Sequence, residues 1–228
     1  MTQLLAILLI AAAGRAGSPT RTICIDPGHP SEVGRGTSGR KVSEIHVAWE
    51  VAKRLEAKLI AKGFRVVLTK SAENEFVKNR DRAGIANRCH ADLMVRLHCD
   101  ASNGTGFTTY YPDRQGVLDR TVGPEPTLLK RIEPIAKRFH DVLRADLSGF
   151  LRDNGILPDN RTAVGSLHGA LVGSIYSKVP VVLVEMCVLT NPRDEELVCG
   201  EPGKNRLAAA LADACIKCLA KGRQDPNP

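Results

Sequence analysis

From Arg21 onward the sequence alternates short apolar runs with stripes of apolar residues at helical spacing. That alternation constrains the fold more than any other feature. Thr22 to Asp26 reads as a strand. Ile45, Ala48, Ala52, Leu55 and Leu59 recur at steps of three and four, predicting a helix over Ser43 to Lys62. Ser43 is a good N-cap and Gly63 a C-terminal stop. Phe64 to Leu68 is a β-branched strand, Lys78 to Arg88 a helix, and Asp92 to His98 and Phe107 to Tyr111 two further strands. Residues 112 to 125 read as a loop. Leu128, Ile132, Ile135, Phe139 and Val142 form a helical stripe over Thr127 to Leu147, which Pro134 should kink or delay to near Glu133. Val181 to Val184 is unbroken apolar sequence, as in a strand buried on both faces. Lys204 to Lys221 closes the pattern as a helix, and Gln224 to Pro228 reads as a frayed tail.

Such alternation predicts one three-layer α/β domain over residues 21–221, with a twisted, mixed and mostly parallel sheet flanked by helices. Active sites in these sheets lie beyond the carboxyl ends of the strands. Four polar residues fall at those places. His29 follows the first strand by three residues, His98 ends the third, Glu185 follows Val184, and Glu44 sits in the first turn of the helix after the His29 loop.

Two histidines and a carboxylate suit a catalytic zinc site with a fourth position open. His29, Glu44 and His98 are the candidate ligands. The helix dipole favours an ionised carboxylate at Glu44. A carboxylate after four buried apolar residues is costly unless it is paired or used, and beside an activated water Glu185 could serve as general base. Each residue also has an ordinary reading: a hydrogen-bonded structural histidine, a solvated glutamate in a first helical turn. Ligands from distant segments form no short motif, so spacing does not decide between these readings.

The chain of 228 residues has 43% hydrophobic and 25% charged residues, which excludes a disordered or fibrous protein. Aromatics make up 4%, too few for nucleic-acid stacking platforms. Leu4 to Ala13 is an apolar run followed by small residues. It is too short to span a bilayer and fits a signal peptide over residues 1–16, cleaved near 13–16. The implied location is the periplasm, cell envelope or exterior. No later segment reaches membrane-spanning length. The net charge of +7, less Arg15 after cleavage, suits an anionic surface. Seven cysteines in an exported chain leave at least one free thiol or an intermolecular bridge. Cys215 and Cys218 fall on the inward side of the last helix, as buried thiols or in a disulfide to Cys199.

Five blocks then resemble, in order, the zinc-dependent N-acetylmuramoyl-L-alanine amidases of the amidase-3 type. They are Ile23-Cys24-Ile25-Asp26-Pro27-Gly28-His29, then Val42-Ser43-Glu44, then Asn79-Arg80-Asp81-Arg82 through Ala86-Asn87, then Ala91 to Asp100, then Val182 to Asn191. The resemblance covers roughly residues 21 to 220. It implies a zinc ion on His29, Glu44 and His98, with Glu185 as the catalytic glutamate. It implies peptidoglycan as substrate, cleaved between the lactyl group of N-acetylmuramic acid and L-alanine. A regulatory partner is possible, and the sequence does not identify it.

Three departures stand out. Pro30 and Ser31 replace glycines that are usual after the first histidine. Arg96 stands where a small residue is usual. It shares a strand face with His98 and could bind a substrate carboxylate or pair with Asp100 or Glu32. Residues 153 to 169 match poorly and receive no assignment. The alternatives to the amidase are another zinc-dependent cell-wall peptidase and a non-catalytic wall-binding module.

Overall fold

A computed structural model describes residues 20–220. The expected leader and the tail beyond Ala220 lie outside them. The domain is α/β, built on a six-stranded sheet. Its strands are β1 (Thr22–Pro27), β2 (Arg65–Leu68), β3 (Leu93–Asp100), β4 (Phe107–Tyr111), β7 (Asp153–Pro158) and β8 (Val181–Val188). Their spatial order is β2-β1-β3-β8-β4-β7. The first four run parallel, and β4 pairs antiparallel to β8 and parallel to β7. The sheet is therefore mixed and mostly parallel, as the alternation predicted.

The helices follow local rules. In α1 (Glu44–Ala61) the Ser43 hydroxyl accepts from the His46 amide at 3.3 Å, and Gly63 lies just beyond the end with φ +82°. The stripe Val47, Ala48, Val51, Ala52, Leu55 and Leu59 is buried. Next come α2 (Asn79–Arg88) and α3 (Pro126–Asp146), and α7 (Glu201–Leu219) packs against both α1 and α3. Cys215 and Cys218 are buried on α7, and all seven cysteines are free thiols, so no disulfide reaches Cys199.

Several boundaries differ from the sequence reading. Pro134 does not delay α3, which begins at Pro126 and runs through it. An internal proline costs about 3 kcal/mol, whereas burying each large apolar side chain contributes roughly 1.5–3 kcal/mol. Leu128, Ile132, Phe139 and Leu143, all buried, together outweigh the penalty. The expected 112–125 loop contains a small hairpin of β5 (Gly116–Leu118) and β6 (Thr121–Gly123). Strand β3 runs past His98 to Asp100, and β8 continues past Val184 to Val188. Glu185 is thus an interior strand residue and not a terminal one. Three short helices were not foreseen: α4 (Ala163–His168), α5 (Val172–Ile175) and α6 (Pro192–Cys199).

Candidate active site

The site forms where β1, β3 and β8 present their carboxyl halves. Registered neighbours on adjacent strands share a face. Asp26 pairs with Arg96, Arg96 with Leu183, and His98 with Glu185. One face of the sheet thereby carries Asp26, Arg96, His98 and Glu185, and the loop after β1 adds His29. Glu44 comes from the first turn of α1 and is buried.

His29, Glu44 and His98 converge so that one ligand atom from each lies within 4.8 Å of the others. Glu44 Oε1 stands 2.9 Å from His98 Nδ1 and 3.5 Å from His29 Nε2. Atoms bound at 2.0–2.1 Å to a tetrahedral ion lie about 3.4 Å apart, and the two Glu44 spacings are on that scale. His29 Nδ1 lies 3.0 Å from the Gly34 carbonyl, and as the donor there leaves Nε2 free to face Glu44. Glu44 Oε2 accepts from the Thr37 amide at 2.8 Å, and Oε1 also accepts from the Cys99 amide at 3.2 Å.

The charges suit the same purpose. Burial raises the Glu44 carboxyl, but the hydrogen bond and charge of His98, the charge of His29 and the Thr37 amide hold it below its ordinary value. Burial pushes the His98 imidazole down despite Glu44. Glu44 is thereby held as the carboxylate, the form that binds metal. Burial, with the nearby charges of Glu44 and Asp100, pushes the Glu185 carboxyl well up, and Arg96 opposes this. His98 Nε2 and Glu185 Oε2 are buried polar atoms without a hydrogen-bond partner. Such atoms are ordinarily bonded, and here they mark room for a ligand.

A second set of groups holds the His29 loop. His29 has φ 51°, in the left-handed region, which costs about 1–3 kcal/mol for a non-glycine residue. Its carbonyl accepts from Lys70 Nζ at 2.5 Å. Arg82 donates from Nη1 to the Pro27 carbonyl at 2.6 Å and from Nη2 to the Pro30 carbonyl at 3.0 Å. Gly36, with φ +75°, passes so close that a Cβ there would collide with Glu44 Oε2 and come within 2.7 Å of His29 Cδ2.

Arg96 is buried and does not pair with Asp100 or Glu32, the partners expected from sequence. Its Nε donates to Asp26 Oδ2 at 2.8 Å and its Nη2 to Asn79 Oδ1 at 2.5 Å. Glu32 instead accepts from the Asn79 amide at 2.9 Å, one step further out. Asp26 won because it sits directly across the register on β1.

His29, Arg96, His98 and Glu185 all line one cleft of about 530 Å³. Arg161 to Val164, from the stretch where the sequence reading assigned nothing, line the same cleft with Leu171 and Val172. The only local cue there was the hydroxyl of Thr162, which caps α4 by accepting from the Gly165 amide at 3.0 Å. That cue marks a helix start and says nothing about a cleft.

The profile of the N-acetylmuramoyl-L-alanine amidase family matches residues 23–217, and the chain belongs to that family. Over 198 residues it is 32% identical to the N-acetylmuramoyl-L-alanine amidase LytC of Bacillus subtilis. That alignment covers 86% of this chain but 35% of LytC, so the chain spans about a third of that relative. It is 27% identical to AmiA of Escherichia coli, covering 86% of this chain and 75% of AmiA. The crystal structure of the amidase Ami1 from Mycobacterium abscessus superposes with a TM-score of 0.71 at 22% identity, over 88% of this chain and 99% of Ami1. That likeness carries the fold.

Proposed function

We propose that this chain is a zinc-dependent hydrolase that cleaves the amide between the lactyl group of N-acetylmuramic acid and L-alanine of the peptidoglycan stem. The observation that carries the reading is the convergence of His29, Glu44 and His98, with both histidines lining the cleft that Glu185 also lines, across the register from His98.

His29, Glu44 and His98 would hold the ion. Bound zinc supplies Lewis acidity, lowering the pKa of a water ligand to about 7 and polarising an amide carbonyl. Glu185 handles protons. Burial and the charges of Glu44 and Asp100 raise its carboxyl and strengthen its hold on a proton, so it can take a proton from the attacking water and return it to the leaving amine. Arg96 lies near enough to favour the ionised form of Glu185 that this base requires.

Membership of the amidase family supports peptidoglycan as the substrate and a place of work outside the cytoplasmic membrane. The apolar run at Leu4 to Ala13 supports export by a leader. No described helix is long and apolar enough to cross a membrane.

Zinc content and dye release from labelled peptidoglycan, wild type beside Glu185→Ala, test the reading. Bound zinc in both proteins with release by the wild type alone is expected. Release by both proteins would remove Glu185 from the mechanism.

A further inference from the structure

The cleft carries two cationic groups, of which Arg161 has no part in metal binding or proton transfer. They are Arg96 and Arg161, which line the same cleft. Arg96 is 3% exposed and cannot swing, because Asp26 and Asn79 hold two of its nitrogens. Its third, Nη1, rests against Gly173, where a Cβ would come within 2.6 Å. It therefore contributes a fixed charge.

Arg161 is the opposite case. It is exposed, lines the cleft, and makes no hydrogen bond or ion pair with any described residue. Its charge reaches Tyr110 on β4, which lines the same cleft. The wall that carries it is anchored from below, since buried Asp159 accepts the Leu171 amide at 3.1 Å on Oδ2. A guanidinium with its donors free, on an anchored wall, suits a carboxylate, which it can grip with two parallel hydrogen bonds.

The substrate carries a carboxylate close to its scissile bond. An extended peptide spans about 3.3–3.6 Å per residue, so a group on the second stem residue lies roughly 7 Å beyond the scissile carbonyl. In muramyl peptides that residue is a γ-linked glutamate with a free α-carboxylate, or its amide. The lining carboxylates Asp100 and Glu185 would repel that group if it strayed toward the metal side.

Building on the amidase reading, we propose that Arg161, backed by the fixed charge of Arg96, binds the free α-carboxylate of the second stem residue. The enzyme thereby selects stems in which that carboxylate is not amidated.

The test compares N-acetylmuramoyl-L-alanyl-D-isoglutamate with its isoglutamine counterpart, using the zinc-loaded full chain and following release of the dipeptide. A hydrogen bond to a charged group contributes enough for about a 10- to 100-fold preference in kcat/KM for the free acid, carried mainly in KM. In Arg161→Gln the ratio should fall toward one, and Arg161→Lys should keep part of it. Arg161 is exposed, so both variants should fold, as circular dichroism would verify. Equal cleavage of the two substrates by the wild type would overturn the subsite alone. So would a ratio unchanged in Arg161→Gln. Cleavage of neither by the wild type would overturn the amidase reading and the subsite with it.

Discussion

Arg82 of α2 and Asp26 of β1 form an ion pair with almost no exposed surface, Nη1 to Oδ1 at 2.7 Å. The same carboxylate accepts from Arg96 and, at 2.5 Å, from Thr69. Burial works against the Asp26 charge, but the two arginines and these hydrogen bonds hold its carboxyl well below the usual range. Arg82 also grips the carbonyls on either side of His29. One side chain thus joins the core to the loop that carries a candidate ligand.

Removing Arg82 should therefore harm both stability and metal binding. Breaking a buried pair by deleting one partner costs about 3–5 kcal/mol, and Arg96 and Thr69 keep the loss near the lower figure. Arg82→Met should lower the unfolding free energy from urea titration by about 3 kcal/mol, seen as a lower midpoint, and zinc titration of the folded variant should show weaker binding. An unchanged midpoint would mean that Asp26 needs only Arg96.

Glu185→Gln should keep fold and zinc while losing about 10²–10⁴-fold in turnover, the usual scale of general acid–base help. The amide preserves the shape of the side chain but cannot carry the proton. Metal analysis and turnover on muramyl peptides, measured on one preparation, separate this from loss of the ion.

His98→Ala removes one of the three converging atoms. In the wild type, zinc at a thousand times its Kd should stabilise the fold by about 4 kcal/mol. Melting curves with and without zinc should show that gain in the wild type and most of it missing in the variant. An equal zinc-induced rise in both would contradict the ligand set.

Gly36→Ala places a methyl group against Glu44 and His29 at a left-handed backbone position. The expected result is a 10- to 100-fold loss of zinc affinity, the scale seen when groups that orient metal ligands are disturbed. Competition with a chromogenic chelator reads this directly.

Asp159 should make stability depend on pH. Burial pushes its carboxyl from 3.8 up to about 6, against the Ser174 and Leu171 hydrogen bonds and the charge of Arg96. The folded state then holds this proton more tightly than the unfolded chain does. Its contribution is most favourable below about pH 4 and is lost as pH rises through 6, amounting to about 3 kcal/mol by neutral pH. Asp159→Asn removes the ionisation and keeps an acceptor for Leu171. The variant should melt higher than the wild type at pH 7.5, with the gap shrinking at pH 4.5. A gap independent of pH would show that Asp159 does not titrate in this window.

The candidate site was legible in the sequence to different depths. His29, Glu44, His98 and Glu185 fall in blocks whose order resembles a known family; the first three lie together, and Glu185 sits across the register from His98. The ion-pair partner of Arg96 was not legible. Asp100 and Glu32 looked equally good, because nothing local reveals that β1 lies beside β3 with Asp26 in register. The Arg161 wall was invisible for a similar reason, since 153–169 shows neither strong periodicity nor family likeness. Gly36 looked like any loop glycine until Glu44 and His29 closed around it.

By itself, the sequence determined the class of fold, the course of α1 and the chemistry of the candidate ligands. Periodicity, capping and side-chain type act between neighbours a few residues apart, as with Ser43 and His46. Only the tertiary structure decided which charges are buried together and where the cleft has its second wall. Those outcomes depend on pairs far apart in the chain, Glu44 with His98 at a separation of 54 residues and Asp26 with Arg96 at 70. A buried charge is tolerable only beside its partner, and the partner is set by strand order and register, which no short stretch of sequence contains.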